Sequence, residues 1–288
     1  MCTTSDCYVP FFNVFWIIYG IFGFTFQIIL VILILRKLPP SLKNLKFYLI
    51  NTASIQLALV VFSFSIQHRF LTNKTTLAIL PAGPCRYFGP NICFGNYHIV
   101  MACGLGAGLA ILITVVFRTF SLTMKGVTRK RNYMLIGLSY VAPVYVLVVP
   151  FTAHWDFQSV QFSTAMDHPT YNLTNYLPFP GFANVKSFEF ISATLVLSLG
   201  GYGIPLGCLF LTVKGLTLIK KHQNMAEKTK VQAKKLIHGL LVQSILPAIS
   251  YVPMVSSYIY TQTTGNEVLI SGEKWCNYFN LILTIQNI

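Results

Sequence analysis

The chain has 288 residues, of which 54% are hydrophobic types and only 10% are charged. Soluble globular domains carry about 25% charged residues, so this composition, with a mean hydropathy of +0.62, indicates an integral membrane protein and excludes most classes of soluble enzyme. A spanning helix needs about 20 apolar residues, so the length holds roughly seven spans and excludes an additional nucleotide-binding or kinase domain.

Seven apolar segments follow one another along the chain. The first is too long for the apolar region of a signal peptide, and no basic residue precedes it. The segments cover about residues 11–35, 47–66, 97–117, 133–151, 188–218, 236–259 and 275–288. We therefore predict an all-α membrane protein, a seven-transmembrane helix bundle that forms one domain over residues 1–288.

The last apolar segment, Trp275 to Ile288, is shorter than the other six. Its 14 residues reach about 21 Å as a helix, whereas the hydrocarbon core of a bilayer is about 30 Å thick. We expect the seventh helix to be incomplete.

The basic residues indicate how the bundle is oriented. Sixteen of the 21 lysines and arginines fall in the loops after spans one, three and five or at their ends. Positive charge marks the cytoplasmic side, so we predict that the N-terminus is outside. The net charge of +14 then reflects topology and attraction to anionic lipid, and we expect no nucleic-acid partner.

Two glycosylation sequons agree with this orientation. Asn73-Lys74-Thr75 and Asn172-Leu173-Thr174 both fall in segments that the charge count assigns to the outside. A single sequon is a weak signal because the pattern is short. We expect both Asn73 and Asn172 to carry glycans.

The spans lack the residues that catalysis, metal binding or ion transport requires. No H-E-x-x-H, G-x-S-x-G or paired mid-membrane aspartate occurs, and the seven cysteines form no CxxC pair. Pumps place ionisable residues at mid-membrane, whereas Glu189 is the only charged side chain inside a span and clear of its inner end. We expect no enzyme activity, no cofactor and no metal.

Aromatic and polar residues gather near the outer ends of the spans. Tyrosine and tryptophan are common there because their rings favour the headgroup region, but small-molecule sites also have aromatic walls with a few polar groups. Both explanations stay open for each residue. If a cavity opens outward between spans three, five, six and seven, the predicted ligand contacts are Asn96, Tyr97, His98, Glu189, Tyr251 and Trp275.

Arg118 lies at the inner end of the third span, within Val116-Phe117-Arg118-Thr119-Phe120. An arginine at this position either anchors the helix at the headgroups or engages a G protein, as in seven-helix receptors. The third inner loop is also basic and includes Lys220 and Lys221. These two lysines serve either lipid contact or the docking of an effector protein.

One outer segment is more specific than the rest. It reads Leu80-Pro81-Ala82-Gly83-Pro84-Cys85-Arg86-Tyr87-Phe88-Gly89-Pro90 and continues through Cys93 to Tyr97-His98. With the short N-terminus, Arg118, the basic third inner loop and the Pro247/Pro253 pair, it makes the chain resemble a nematode seven-helix chemoreceptor, most similar to serpentine receptor class delta. The likeness covers about residues 10–280.

The resemblance implies a G-protein-coupled-receptor-like bundle in the plasma membrane of sensory neuron cilia. It implies olfactory detection of a small molecule on the outer side and coupling to a heterotrimeric G protein at the inner face. Many rhodopsin-like receptors join span three to the second outer loop by a disulfide, but residues 152–187 contain no cysteine. Cys85 and Cys93 can pair with each other, with Cys2 or Cys7, or with Cys276, and we expect a Cys85–Cys93 bridge.

Three alternatives to a signalling receptor stay open. A channel of the insect chemoreceptor type has its N-terminus inside, which the charge count disfavours. A small-solute transporter is compatible with the spans, although the absence of mid-membrane charge disfavours ion coupling. A truncated, non-signalling receptor fragment is compatible with the short seventh segment.

Overall fold

The computed structural model describes residues 9–37, 45–123, 129–169 and 171–221, together with isolated positions between 231 and 256. Within these ranges, five helices are long and apolar enough to cross a membrane. The predicted sixth span is described only at isolated helical positions. The predicted seventh span, with its expected incompleteness, lies outside the described residues.

The helices of the described ranges are numbered here in chain order. They are α1 (Val9–Arg36), α2 (Lys46–Ile66), α3 (Pro90–Thr123), α4 (Arg129–Ser139), α5 (Val141–Val148), α6 (Phe157–Asp167) and α7 (Phe188–Lys221). Helix α3 begins at Pro90 rather than near Tyr97, where the apolar run begins. Proline suits the first helical turn because its missing N–H would have no partner there.

A proline divides the fourth apolar segment into two helices. Pro143 has no N–H to donate to the carbonyl of Ser139, where α4 ends. The N–H of Tyr140 instead donates to Gly137 O, at 3.1 Å, and α5 resumes one residue later. A single 3₁₀ turn, Val149–Thr152, ends this segment.

Helix α3 is the central element of the described bundle. Fifty-six per cent of its most apolar stretch is buried inside the protein, against 11–28% in the other four spanning helices. It packs against α2, α5 and α7, while α1 contacts α2. The sides of α1, α2 and α7 that expose large apolar residues are therefore free to face lipid.

Glycines allow α3 and α7 to pack closely. Leu105 of α3 lies against Gly200, and Leu112 of α3 lies against Gly207. In the opposite direction, Ile204 of α7 lies against Gly108 of α3. Because lipid tails are as apolar as leucine, helices in a membrane associate through such packing rather than through a hydrophobic driving force.

One end of the bundle contains Arg118, and we call it the Arg118 end. The hydroxyl of Tyr48 in α2 donates to Asn132 Oδ1 of α4, at 3.1 Å. The ring of Tyr48 also stacks on Phe117, with centroids 4.6 Å apart. These contacts join α2, α3 and α4 at this end of the bundle.

The opposite end contains a small β-sheet that the sequence analysis does not predict, and we call it the sheet end. Strands β1 (His68–Thr72), β2 (Leu77–Pro81) and β3 (Gly181–Phe182) are antiparallel, in the order β1-β2-β3. All five residues of β2 are buried, because the bundle covers one face of the sheet and α6 with the Tyr176 region covers the other. The all-helical prediction is thus right for the bundle and incomplete at this end.

The glycine contacts predict that position 200 tolerates a larger residue less well than position 203. A Cβ at Gly200 would overlap the Leu105 side chain, whereas a Cβ at Gly203 would meet no atom of the described residues within 4 Å. We expect Gly200→Leu to destabilise the folded protein by about 1–3 kcal/mol, as overpacking does, and Gly203→Leu to have little effect. Thermal unfolding of the detergent-solubilised variants measures the difference, and equal midpoints would contradict it.

Candidate ligand site and signalling face

A cluster of aromatic rings lies between the bundle and the sheet. It joins the first turns of α3 to the inner face of the sheet, the end of the fourth apolar segment and the start of α7. We call it the aromatic cluster, and its members are His68, Phe70, Phe94, Tyr97, His98, Phe151, Trp155, Phe157, Phe182 and Phe190.

His98 lies at the centre of this cluster. Its ring centroid is 4.5 Å from that of Phe94, 5.0 Å from Tyr97 and 5.5 Å from Phe182. Only 2% of the residue is exposed. Its Nε2 has no hydrogen-bond partner in the part of the chain that the structure describes. Sites for small molecules are lined mostly by apolar and aromatic side chains with a few polar groups, and the cluster has this composition.

The predicted ligand contacts separate into three groups. Tyr97 and His98 belong to the aromatic cluster. Asn96 instead donates to Ser65 Oγ of α2, at 3.0 Å, and Glu189 lies in the first turn of α7, next to Phe190 of the cluster. Tyr251 and Trp275 lie outside the described residues.

The sequence analysis missed the contribution of the sheet to this cluster. Side chains alternate between the two faces of a strand, so His68 and Phe70 of β1 face the bundle while Leu71 faces α6. Phe182 arrives from β3, more than 80 positions further along the chain. A five-residue strand that is buried on both faces has no polar alternation that would reveal it.

His68 is buried among rings. It is 5% exposed, and its centroid lies 4.8 Å from that of Phe70 and 5.7 Å from that of Tyr97. Neither ring nitrogen has a hydrogen-bond partner among the described residues. Because burial disfavours the charged imidazolium, the pKa of His68 falls from its usual 6.5 to about 4.

The sheet and α6 together form a lid over the aromatic cluster. The turn between β1 and β2 is bound to the C-terminal half of α6 by three hydrogen bonds. Asn73 Nδ2 donates to Thr164 Oγ1 (2.8 Å), the Lys74 N–H donates to Asp167 Oδ2 (3.2 Å), and His168 Nε2 lies 3.2 Å from Thr72 O. The segment before α3 and the segment before α7 are thereby held together.

The lid consists of two segments, one between α2 and α3 and one between α5 and α7. A further polar contact joins these two segments. Arg69 Nη1 donates to the hydroxyl of Tyr176, at 2.8 Å, and the Arg69 guanidinium carbon lies 5.8 Å from the centre of the Tyr176 ring. Gly181 allows β3 to approach β2, since a Cβ at this position would overlap the Leu77 carbonyl oxygen.

The disulfide lies beside the lid and not across it. Cys85 and Cys93 are bonded, with an S–S distance of 2.01 Å and a Cα–Cα distance of 5.2 Å. The bond joins the 3₁₀ turn Pro84–Phe88 to the first turn of α3. The lid segment between α5 and α7 is joined to the segment between α2 and α3 by hydrogen bonds, by strand pairing and by apolar packing around Val160 and Phe179.

The Arg118 end presents the predicted signalling residues. Arg118 is half-buried near the end of α3, and the hydroxyl of its neighbour Thr119 lies 3.4 Å from Leu211 O of α7. Lys220 is exposed near the end of α7, and Lys221 is the last residue of that helix. Among the described residues, no group of three or more metal-ligating side chains occurs.

The burial of His68 predicts a pH dependence of stability. Unfolded His68 takes up a proton near pH 6.5 and folded His68 only near pH 4, so the unfolded state binds protons first as the pH falls. Stability is then lost between pH 6.5 and 4, by up to about 3 kcal/mol. We expect His68→Phe to flatten the decline of the unfolding midpoint over this range.

The matched control for this measurement is His154→Phe, at an exposed position of the lid connection. This control retains His68 and should decline as the wild type does. Equal pH slopes for His68→Phe and the wild type would contradict the assignment.

The comparisons with known proteins identify the family. The model of the family "Serpentine type 7TM GPCR chemoreceptor Srd" matches residues 12–286. Serpentine receptor class delta-59 of Caenorhabditis elegans is 54% identical over 270 residues, which is 94% of this chain and 83% of the relative. Class delta-50 of the same organism is 29% identical over 89% of this chain and 79% of that relative. Class delta-63 is 30% identical over 80% of this chain and 73% of that relative. The chain therefore belongs to the Srd family of serpentine seven-transmembrane chemoreceptors.

Proposed function

We propose that this protein detects a small molecule at the sheet end, outside the cell, and signals through a heterotrimeric G protein at the Arg118 end. The observation that carries the proposal is the path of α3. This one helix contributes Tyr97 and His98 to the aromatic cluster and Arg118 to the opposite end. At about 1.5 Å per residue, these two ends of α3 are about 30 Å apart, the thickness of the hydrocarbon core.

The charge distribution supports an outward-facing sheet end. The basic residues that favour the cytoplasm follow α1, α3 and α7 in the sequence or lie near the ends of these helices, and α3 and α7 end at the Arg118 end. The lid carries Asp156 and Asp167. We place the receptor in the plasma membrane of sensory cilia as part of this proposal.

The cluster favours an uncharged ligand. Its members are neutral rings, and the low pKa of His68 keeps that imidazole neutral at physiological pH. A buried charge without a partner would cost several kcal/mol here. A small molecule with an apolar ring or chain and one hydroxyl, carbonyl or amine group in its neutral form would pack against the rings and pair with His98 Nε2.

Ligand binding would act on the packing of α3 and α7. Both helices contribute to the cluster, through His98 and Phe190, and both continue to the Arg118 end, where Thr119 and Leu211 meet. A ligand that binds one arrangement of the two helices more tightly shifts the population toward that arrangement. The G protein would then bind at the Arg118 end, and we propose that it contacts Arg118, Lys220 and Lys221.

The first test separates signalling from folding. Cells that express the receptor with a promiscuous Gα subunit and a calcium reporter are exposed to pools of neutral, cationic and anionic odorants. With an activating pool, Arg118→Ala should lower the response at least tenfold at equal surface expression. Lys130→Ala, at an exposed basic position of the same end, should respond as the wild type does. An undiminished response of Arg118→Ala would refute the role of Arg118.

The second test concerns the ligand site. His98→Phe keeps a ring of similar size and removes Nε2, so we expect at least a tenfold loss of potency for the activating pool without loss of surface expression. His154→Phe makes the same substitution at an exposed position and should leave potency unchanged. Equal potency of His98→Phe and the wild type would exclude His98 as a ligand contact.

A further inference from the structure

The two glycosylation sequons differ sharply in their surroundings. Asn73 is 6% exposed, whereas Asn172 is exposed on the loop that follows α6. We infer that the folded receptor carries a single N-linked glycan, on Asn172, and that Asn73 is an unmodified structural residue that attaches the lid.

The atom of Asn73 that would receive a glycan is already used. Its Nδ2 donates one hydrogen to Thr76 Oγ1, at 2.6 Å, and the other to Thr164 Oγ1, at 2.8 Å. The Asn73 backbone N–H also donates to Thr76 O, at 3.0 Å, which closes the turn between β1 and β2. Thr164 is fully buried in α6. The amide nitrogen of Asn73 therefore points into the contact between the two parts of the lid.

Glycosylation at this atom is incompatible with the folded lid. The transfer forms a bond between Nδ2 and the anomeric carbon of the sugar, releases a proton from Nδ2 and breaks the bond from that carbon to a lipid-linked pyrophosphate donor. The nitrogen retains one hydrogen, so one of its two hydrogen bonds is lost. The bulky sugar would occupy the space that α6 fills beside Thr164. A chain modified at Asn73 would be unable to seat α6 on the sheet.

Asn172 meets the requirements that Asn73 does not. The hydroxyl of Thr174 donates to Asn172 Oδ1, and none of the hydrogen bonds within the described ranges uses the amide nitrogen of Asn172. The following 3₁₀ turn is anchored by Tyr176, which is buried against Val160 and Phe179. A glycan on Asn172 would project from an exposed loop without disturbing this packing.

The test uses two matched threonine substitutions. Thr174→Ala removes the Asn172 sequon, and Thr75→Ala removes the Asn73 sequon while keeping both hydrogen bonds of Asn73, because the Thr75 side chain is exposed. Full-length protein is expressed in insect cells, and the surface fraction is treated with peptide-N-glycosidase. We expect the enzyme to increase the electrophoretic mobility of the wild type and of Thr75→Ala by the equivalent of one glycan. The mobility of Thr174→Ala should not change.

A shift that persists in Thr174→Ala, or one that is lost in Thr75→Ala, would overturn the assignment. A sequon added in a tag ahead of Met1 controls for exposure to the glycosylation machinery. If that tag is modified and the wild-type chain is not, Asn172 is not a glycan site. An unmodified tag would refute the outward orientation, and with it the inference.

The structural role of Asn73 has its own readout. Asn73→Leu is similar in size but carries neither a donor nor an acceptor, so both side-chain hydrogen bonds of Asn73 are lost. We expect this variant to reach the surface less well and to unfold several degrees lower than Thr75→Ala, although both variants lack the sequon. Equal surface expression and equal unfolding midpoints of the two variants would exclude Asn73 as an attachment of the lid.

Discussion

The close packing of α3 against its neighbours is the constraint on which the rest of the structure depends. A bilayer offers apolar side chains the same surroundings as a protein core, so helices associate only where their surfaces fit. Glycines at 108, 200 and 207 allow leucine and isoleucine side chains of the facing helix to approach closely. This fit determines where the two ends of α3 lie, and therefore where Tyr97, His98 and Arg118 are presented.

The lid depends on a second constraint, the need to pair buried backbone groups. Strands β1 and β2 pair through five residue positions and β3 extends the sheet by two. The segment before α7 is held by this pairing and by side chains such as Asn73 and Arg69. No cysteine occurs between residues 152 and 187, so hydrogen bonds supply the connection that a disulfide provides in many rhodopsin-like receptors.

The chemistry beneath the lid is that of neutral rings. His68 and His98 are surrounded by phenylalanine and tyrosine, and both nitrogens of His68 and Nε2 of His98 have no hydrogen-bond partner among the described residues. A ligand in such surroundings would be selected by shape and by one or two hydrogen bonds rather than by charge. The ligand that we propose for this receptor is accordingly an uncharged molecule.

The sequence by itself determined that the molecule is an integral membrane protein. It also determined that Tyr97 and His98 lie at one end of an apolar segment and Arg118 at the other. Each membrane-crossing segment must be apolar along its own length. It can therefore be recognised without knowing which other segments pack against it. The lid was decided only by the tertiary structure, because strands that are buried on both faces have no alternating pattern and because Phe182 joins His98 from a distant part of the chain. The same holds for the two sequons. Their sequence patterns are equivalent. Asn73 and Thr164 are 91 positions apart in the chain and come into contact only in the folded structure, and this contact makes the amide nitrogen of Asn73 inaccessible.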